Sequence, residues 1–371
     1  MRVTALTLRD FRNYADAEAA LGERLTVVVG PNGAGKTNLL EALYFGCTAR
    51  SPRTSNEREL VRRGASVARV TVSTVGEEGE PNLLEAGFEP GEQKVLKVNG
   101  AAVENLATTT ARPLLSVFLP ERLELVKGGP GSRRAHLDQL VAALWPSRAG
   151  TRTAYSRALA QRNALLARVR GGAGSASSLT SWDAELVRHG WRLMADRAEA
   201  LSRLAPLFTA RARDLGLPGE GCLRYRPRSK ASGPEELAAE LAERHGADIE
   251  RGFSVHGPHR DDLALVHEDL PLRTYGSQGQ QRVALLALLF AERDLLAAER
   301  DRPPLMLLDD VMSELDAARR ELLSELLRSD GQSLVTTTDL DQVPGASEQG
   351  VVVLDVTAGK LTAAGAPEVA A

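Results

Sequence analysis

The chain has 371 residues, with 46 Lys and Arg against 49 Asp and Glu, so its formal net charge is −3. No uninterrupted apolar run approaches the length of a membrane span, and the strand-like N-terminus does not resemble a signal peptide. Cys47 and Cys222 follow no metal or redox spacing, which favours reduced thiols. We therefore expect a cytoplasmic protein of two or three lobes, and not a membrane protein or a disulfide-rich secreted one.

A glycine-rich segment follows the first strands. Residues 1–30 are predicted to form two strands around a turn at 10–14, and the β-branched run Leu25–Val29 predicts a buried strand. After the segment, apolar residues recur at helical spacing over residues 39–45. Strand, loop and helix are the context of a phosphate-binding loop, in which backbone N–H groups and the helix N-terminus bind an anion. The loop residues are Gly30, Pro31, Asn32, Gly33, Ala34, Gly35, Lys36 and Thr37.

The last two residues of this loop indicate its ligand. The Lys36 ammonium is suited to β- and γ-phosphates, and the Thr37 hydroxyl is a hard oxygen ligand suited to Mg²⁺. We therefore predict a nucleoside triphosphate site, with ATP as the expected nucleotide.

Short strands are predicted from residue 67 to residue 118. Val67–Val75 alternates in polarity, Leu83–Phe88 follows, and Val95–Val98 is separated from Ala101–Val103 by Asn99-Gly100. Asn-Gly between two apolar runs is a strong hairpin signal, because a type I′ turn needs positive φ at both positions. This region is expected to form an antiparallel β-subdomain.

Helices are predicted to dominate residues 132–213. One is expected at 133–144 and another at 151–169, followed by a flexible connector at 170–178. A long helix is expected to begin at Thr180, with Asp183 completing a capping box. The two long helices joined by a Gly/Ser tip predict an antiparallel helical hairpin. Its arginines are spaced to line an exposed face: Arg152, Arg157, Arg162, Arg168, Arg188 and Arg192.

Charge is distributed unevenly along the chain. Residues 127–230 contain 19 Lys and Arg against 7 Asp and Glu, a net charge of +12, whereas the remainder has 27 against 42, a net charge of −15. The basic region ends near a strand-like piece, Leu223–Arg226, and a short acidic helix is expected at 235–244. The asymmetry favours binding to a polyanion such as a nucleic acid. The alternative is that these arginines form solvated helix faces whose stems pack on alanine-rich surfaces.

Two later segments complete the predicted nucleotide site. Leu305–Leu308 predicts a buried strand ending in Asp309 and Asp310, and we expect this strand beside the phosphate loop. The first carboxylate would order the Mg²⁺ shell and the second would polarise the attacking water. Upstream, a helix at 283–290 is apolar on all sides and is therefore expected to be buried. Its start exposes backbone N–H donors among small or amide residues: Ser277, Gln278, Gly279 and Gln280.

A single chain has little use for two anion-binding helix termini on one triphosphate. In a homodimer, each ATP would be held by the phosphate loop of one subunit and the second terminus of the other. Two-fold symmetry would then produce two equivalent composite sites.

These motifs resemble those of ABC-type ATPases. Residues 30–37 resemble Walker A, 277–280 the signature, 305–310 Walker B and 313–316 the D-loop. The 241 positions between Lys36 and Ser277 resemble SMC-type ATPase heads, because transporter domains place these motifs much closer. Further stretches resemble the bacterial RecF family, and the matches extend from residue 2 to about residue 356: they are 8–14, 120–123, 126–130, 133–134 and 256–262.

With the predicted elements, the resemblance implies an α/β fold. The expected architecture is a P-loop ABC-type ATPase head with an antiparallel β-subdomain and an inserted helical lobe containing a helical hairpin. Residues 1–126 would form the ATPase lobe with Walker A and the β-subdomain, and 127–250 the basic helical insertion. Residues 251–371 would complete the ATPase lobe with the signature, Walker B and D-loop.

The resemblance also implies a function in recombinational repair and replication-gap processing. The expected protein is a weak DNA-dependent ATPase that dimerises on ATP and binds duplex and gapped DNA without sequence preference. It would work with RecR and RecO and help to place RecA at boundaries between single and double strands.

Matched residue by residue, the resemblance assigns roles. Arg12 would lie near the adenine or ribose, Thr37 and Asp309 would hold Mg²⁺, and Lys36, Asp309 and Asp310 would be the catalytic set. Asp310 stands where most relatives carry a catalytic glutamate. Ser277 and Gly279 would meet the γ-phosphate bound to the partner subunit.

Two departures from the family pattern concern catalysis. Residues 114–120, where a Q-loop is expected, contain no glutamine, and residues 336–339 replace the usual switch histidine. The shorter carboxylate of Asp310 and the missing histidine are consistent with slow hydrolysis. We expect a switch whose ATP state matters more than its turnover.

Other interpretations have different requirements. A cytoplasmic ATPase subunit of a transporter or protein assembly would need a membrane or protein partner and no DNA, and a small-molecule phosphotransferase would need an acceptor motif that the sequence lacks. His256–Asp262 contains metal-ligand residue types, but its central Gly-Pro predicts a turn. A structural or dimer-coupling role is therefore favoured for this segment.

Overall fold

A computed structural model describes residues 1–106, 109–329 and 331–363, and the chain forms two compact units. The first unit contains residues 1–122 and the described chain from Arg300 onward, and the second contains residues 123–299. Residues 251–299 thus lie in the second unit, whereas the sequence division groups them with the C-terminal ATPase lobe. That three-part division stays a prediction about functional lobes.

The N-terminal part of the first unit is rich in strands. Its elements are β1 Arg2–Phe11, β2 Tyr14–Ala20, β3 Leu25–Val29, α1 Lys36–Thr48, β4 Ala68–Val75, β5 Pro81–Phe88, β6 Val95–Val98, β7 Ala101–Ala102 and β8 Leu115–Phe118. An antiparallel sheet has the order β2-β1-β4-β5-β6-β7. The predicted hairpin is confirmed, because β6 and β7 pair across Asn99 and Gly100, whose φ angles are 52° and 80°.

The second unit is mainly helical. Its elements are α2 Glu124–Lys127, α3 Pro130–Leu144, α4 Thr151–Arg170, α5 Leu179–Asp214, β9 Gly221–Arg226, α6 Pro234–Glu243, α7 His245–Arg251, β10 Asp262–His267, β11 Leu270–Pro271, α8 Leu272–Tyr275 and α9 Gln278–Arg300. The antiparallel strands β11-β10-β9 form a small sheet. Helices α4 and α5 pack as the predicted hairpin, with Tyr155 beside Gly190 and Arg162 beside Asp183.

Two details of this hairpin differ from the prediction. The capping box at Thr180 is wrong, since α5 begins at Leu179 and Asp183 instead pairs with Arg162 Nε at 2.7 Å and His245 Nε2 at 2.5 Å. Arg162 is also not on the exposed face: its side chain is 0% exposed because it points toward the buried Asp248 of α7. The other predicted arginines are exposed: Arg152, Arg157, Arg168, Arg188 and Arg192.

The C-terminal part of the first unit completes its central sheet. Its elements are β12 Leu305–Leu308, α10 Ala317–Ser329, β13 Ser333–Thr337, β14 Val351–Thr357 and β15 Lys360–Ala363. The order is β15-β14-β3-β13-β12-β8, and all neighbours are parallel except β14 and β15. The acidic strand β12 is therefore not the neighbour of β3, because β13 lies between them. Parallel strands end at the same sheet edge, so the residues after β3, β13 and β12 still meet there.

Buried contacts join the two sheets of the first unit. The Gln332 side chain accepts from the Val3 N–H at 2.8 Å and donates to the carbonyl oxygens of Val3 and Gly22, both at 2.7 Å. Residues of α1, including Leu39, Leu40 and Phe45, belong to one core cluster with residues of both sheets. In the described parts of the chain, no helix has both the length and the apolar character needed to cross a membrane.

Candidate nucleotide-binding site

Two glycines let the neighbouring chain approach the loop between β3 and α1. Gly35 precedes α1 with φ of 122°, and a Cβ there would lie 2.5 Å from Asn13 Nδ2. A Cβ at Gly30 would lie 2.3 Å from the carbonyl oxygen of Val356. Any larger residue at either position would require the backbone or its neighbour to move.

Two turns hold the carbonyl side of the loop. Asn13 Nδ2 and the Gly359 N–H donate to the Ala34 carbonyl at 2.8 and 3.0 Å, and the Tyr14 hydroxyl donates to the Gly35 carbonyl at 2.9 Å. Within the described ranges, no protein group accepts from the N–H of Gly33 or Gly35. The first N–H groups of α1 also lack partners within the helix. The loop therefore combines fixed carbonyls with N–H donors available to an anion.

The phosphate loop and the acidic segment that follows β12 meet through Thr37 and Asp309. Thr37 Oγ1 donates to the carboxylate oxygens of Asp309 at 2.9 and 2.8 Å, and Thr336 Oγ1 donates to Oδ1 at 2.7 Å. Burial raises the pKa of Asp309, whereas the hydrogen bonds from Thr336 and Thr37 oppose that shift. In sequence, Thr336 belongs only to the segment 336–339 that replaces a switch histidine; its contact with Asp309 follows from the sheet order, which places β13 between β3 and β12.

Lys36 and Asp310 complete this group. Lys36 Nζ donates to the carbonyls of Gly30 at 2.8 Å and Pro31 at 3.1 Å. Burial lowers the pKa of Lys36, and the negative charges of Asp310 and Asp309 counteract this shift. Asp310 has φ of 47°, and its buried Oδ1 has no hydrogen-bond partner among the residues described. An ammonium held by carbonyls, a hydroxyl on a carboxylate and an unpaired buried oxygen fit a triphosphate with a divalent cation.

Arg12, in the turn between β1 and β2, belongs to a polar cluster around Glu41 of α1. Its Nε and Nη2 donate to the two carboxylate oxygens of Glu41, each at 2.8 Å, and Arg53 Nη1 donates to Glu41 Oε2 at 3.2 Å. The Glu41 side chain is fully buried. In the sequence, the sign of this cluster is a lone carboxylate between the apolar residues Leu40 and Ala42. The role of Arg12 near the adenine or ribose stays a prediction.

The signature-like residues lie in the second unit, at the start of α9. Ser277 Oγ accepts from the Gln280 N–H at 3.2 Å, and Gln280 Oε1 accepts from the Ser277 N–H at 2.8 Å. This reciprocal pair is a capping box. Ser277 and Gln278 are exposed, and a Cβ at Gly279 would meet no atom within 4 Å. The contact of these residues with a second subunit's nucleotide stays a prediction.

Comparison with known proteins identifies the family. Residues 2–360 match the RecF/RecN/SMC N terminal domain. The DNA replication and repair protein RecF of Streptomyces avermitilis is 41% identical over 364 residues, which cover 93% of this chain and 95% of that protein. The chain belongs to the RecF family. A RecF protein of Anaeromyxobacter sp. is 40% identical over 349 residues, covering 91% of this chain and 93% of the relative.

Solved structures agree with this family assignment. A structure of the recombination mediator protein RecF-ATPrS in the RecFOR pathway has a TM-score of 0.85 at 27% identity, covering 98% of both chains. An SMC head bound to the C-winged helix domain of ScpA has a TM-score of 0.62 at 16% identity, covering 98% of this chain and 97% of that one, and shows a shared fold. The predicted α/β ATPase-head fold is confirmed.

The segment His256–Asp262, noted for its resemblance to the RecF family, forms paired contacts within the second unit. His256 Nε2 pairs with Glu240 at 2.5 Å, and His259 Nδ1 pairs with the Tyr155 hydroxyl at 2.7 Å. Asp262 accepts from Arg133 at 2.8 Å. Over residues 1–106, 109–329 and 331–363, no three His, Cys, Asp or Glu side chains are grouped to hold a metal. The contacts agree with a structural role for the segment.

His259 is expected to make the second unit sensitive to acid. Burial lowers the pKa of His259 from 6.5 to about 4, so the ring stays neutral in the folded protein while the unfolded chain takes up a proton below pH 6.5. Its contribution to stability is therefore present above pH 6.5 and is lost as pH falls toward 4, at about 1.4 kcal/mol per pH unit.

The His259→Gln variant tests this expectation. Gln can still accept from Tyr155 and donate to the Ser254 carbonyl, which His259 Nε2 contacts at 3.1 Å. Urea unfolding should show that stability falls less in the variant than in the wild type between pH 6.5 and 4, by up to about 3 kcal/mol. An identical loss in both proteins would contradict a buried neutral histidine.

Proposed function

We propose that this chain is an ATP-binding and DNA-binding ATPase of recombinational repair, acting in the cytoplasm. The observation that carries the proposal is the contact of Thr37 and Thr336 with Asp309 beside the phosphate loop, in a member of the RecF family. Lys36 and the loop N–H groups would hold the phosphates, and Thr37 and Asp309 would hold Mg²⁺. When bound, Mg²⁺ would neutralise charge on the phosphates. Asp310 would polarise the attacking water.

The ATP state is proposed to control dimerisation. The capped start of α9 would offer the Ser277 hydroxyl and the Gly279 N–H to the γ-phosphate held by a partner subunit. Slow hydrolysis is expected for two reasons. The side chain of Asp310 is shorter than that of a glutamate, and Thr336 stands near the usual position of the switch histidine. ATP would therefore hold the dimer closed for longer than a rapidly cycling ATPase does.

The closed dimer is proposed to clamp DNA at junctions between single and double strands. The local net charge of +12 over residues 127–230 supports contacts to the phosphate backbone, which carry little sequence preference. RecO, RecR and RecA are the proposed partners in gap repair, and the RecFOR pathway named for a similar solved structure supports this part.

Binding measurements on several DNA structures test the proposal. Fluorescence anisotropy would compare gapped, duplex and single-stranded DNA with ATP, ADP and no nucleotide, while light scattering follows dimerisation. We expect ATP-specific dimers, the tightest binding to gapped DNA, and an affinity that falls steeply from low to moderate salt. A flat salt response would exclude a phosphate clamp, and hydrolysis that does not respond to DNA would favour the transporter or assembly ATPase.

Replacement of Ser277 with Arg should prevent dimerisation while ATP still binds. The long, positively charged arginine side chain would occupy the place proposed for the partner's nucleotide. Helix α9 would also lose its N-terminal cap, at a cost of about 1 kcal/mol in stability. Light scattering would measure dimerisation, and a fluorescent ATP analogue would measure nucleotide binding separately. Ser177→Arg, at the hairpin tip, is the control with the same added charge. ATP-dependent dimers of the Ser277→Arg protein would refute the composite site.

Replacement of Asp310 with Asn should slow ATP hydrolysis by on the order of 100-fold and lengthen the life of the ATP dimer. The amide cannot take a proton from water, yet it keeps the shape of the side chain. Single-turnover hydrolysis and dimer decay after dilution would be measured on the same sample. A variant that hydrolyses ATP normally as a monomer would contradict the role of Asp310.

A further inference from the structure

We propose that the even-numbered residues of 224–230 form a basic ladder that binds the sugar-phosphate backbone of DNA. This inference rests on the proposed function and adds its contact surface. Cations stand at every second position along β9 and the chain that follows it: Arg224, Arg226, Arg228 and Lys230. All four are exposed. Arg224 and Arg226 lie two positions apart in β9 and therefore share one face of the strand, whereas Arg228 and Lys230 follow in the chain after the strand ends.

The residues beside the cations are held by buried contacts at three positions, whereas Pro227 is exposed. Leu223 is 6% exposed, and the Tyr225 hydroxyl donates to the Asp261 carboxylate. Ser229 is 1% exposed, and its hydroxyl donates to Glu240 Oε2 at 2.6 Å. These contacts fix the chain on both sides of the exposed cations.

The backbone of the ladder is anchored as well. The Arg228 N–H donates to Asp261 Oδ1 at 2.7 Å, and the Lys230 N–H donates to Glu240 Oε1 at 3.1 Å. Asp261 also lies 3.4 Å from Arg197 Nη1, and Glu240 pairs with His256. Asp261, one of the two anchoring carboxylates, belongs to the segment 256–262, and His256 of the same segment holds the other, Glu240. This gives the segment a role that the nucleotide site does not explain.

Nearby acids do not neutralise the middle and end of the ladder. Asp262 lies opposite Arg226 across the strands, but Arg133 holds its two oxygens at 2.8 and 3.1 Å. Asp269 pairs with Arg224. In the part of the chain that the structure describes, no carboxylate forms an ion pair with Arg226, Arg228 or Lys230.

The spacing and chemistry of the ladder fit a nucleic-acid strand. Arg224 and Arg226, two positions apart in β9, are separated by about 6.5 Å along the strand, which is comparable with the distance between successive phosphates. Guanidinium groups bind phosphate through two parallel hydrogen bonds, so Arg226 and Arg228 can each hold one phosphate. Such contacts read no base and agree with binding at gaps of any sequence.

Salt titration of a triple variant tests the ladder. In the ATP state, Arg226→Gln, Arg228→Gln and Lys230→Gln together should lower duplex affinity at least about tenfold at moderate salt. The slope of log K against log salt should fall in magnitude by about 2.7 for each subunit whose ladder contacts DNA, or about 0.9 for each lost phosphate contact. ATP binding and ATP-dependent dimerisation should stay unchanged, because the three side chains are exposed.

A second triple variant removes equal charge from the hairpin: Arg157→Gln, Arg168→Gln and Arg188→Gln. In this hairpin variant, the slope of log K against log salt should change by less than about 1. An equal change in both variants would show that DNA responds to net charge and would overturn the ladder. Unchanged binding by the ladder variant would also overturn it while leaving the proposed function intact, whereas absence of wild-type DNA binding in every nucleotide state would overturn both.

Anionic vesicles of phosphatidylglycerol provide a further comparison. The wild type should bind duplex DNA more tightly than vesicles of equal phosphate concentration. A ladder variant that loses vesicle binding but keeps DNA binding would assign these cations to a membrane surface and overturn the proposal.

Discussion

Replacement of Lys36 with Met is expected to weaken ATP binding by at least about 100-fold. Lys36 would bind both the β- and the γ-phosphate; two hydrogen bonds from a charged group contribute about 1.5–3 kcal/mol each, and every 1.4 kcal/mol is a tenfold change in affinity. Among the residues that the structure describes, Lys36 Nζ lies within hydrogen-bond distance of the carbonyls of Gly30 and Pro31 alone, so its ammonium can turn to phosphate oxygens. Met retains the length of the side chain and removes the charge.

Calorimetric titration with ATP and Mg²⁺ would measure this loss. Lys97→Met, on β6 of the antiparallel sheet, removes the same charge away from the loop and should bind ATP as the wild type does. The Lys36→Met protein should also fail to form ATP-dependent dimers. Unchanged nucleotide affinity in that protein would contradict the assignment of residues 30–37 as a phosphate loop.

Replacement of Arg162 with Met is expected to destabilise the second unit by about 3–5 kcal/mol, the usual cost of breaking a buried ion pair. Arg162 is 0% exposed and donates to Asp183 Oδ1, Asp248 Oδ2 and Ser254 Oγ, each at 2.7 Å. Without the guanidinium, the fully buried Asp248 carboxylate would lose its cation. The variant should therefore unfold at a much lower urea concentration.

Tryptophan fluorescence reports this unit selectively, because the three tryptophans of the chain, Trp145, Trp182 and Trp191, all lie within residues 123–299. Arg168→Met removes an exposed arginine from the same helix and should change stability by less than about 0.5 kcal/mol. Adding Asp248→Asn to Arg162→Met should recover part of the loss, because the second change removes the unpaired charge. Equal stability of the Arg162→Met and Arg168→Met proteins would show that the buried ion pair of Arg162 with Asp248 contributes nothing to stability.

Local patterns predicted much of the fold. The order of strand, glycine-rich loop and helix placed the phosphate loop, and Asn99-Gly100 predicted the hairpin of β6 and β7. These signals succeed because they depend on backbone preferences within a few residues. The family resemblance then supplied the relation between Walker A and Walker B, which lie 272 positions apart at Thr37 and Asp309.

The errors concern which elements meet. Regular spacing placed Arg162 with the other exposed arginines of the hairpin, yet packing of α4 against α7 buries it beside Asp248. Thr180 and Asp183 have the right spacing for a capping box, but Asp183 pairs with Arg162 and His245. A side chain that can pair with a distant charge does not have to satisfy the nearest backbone group.

The amino-acid sequence by itself determined the phosphate loop, the acidic strand and the uneven charge, because each is readable from residue type and short-range order. Only the tertiary structure decided that β13 separates β3 from β12 and so brings Thr336 to Asp309. It also decided which arginines of the basic region are buried in ion pairs and which stay exposed along residues 224–230. Charge counts add every cation equally, whereas burial and pairing depend on contacts between residues far apart in the chain.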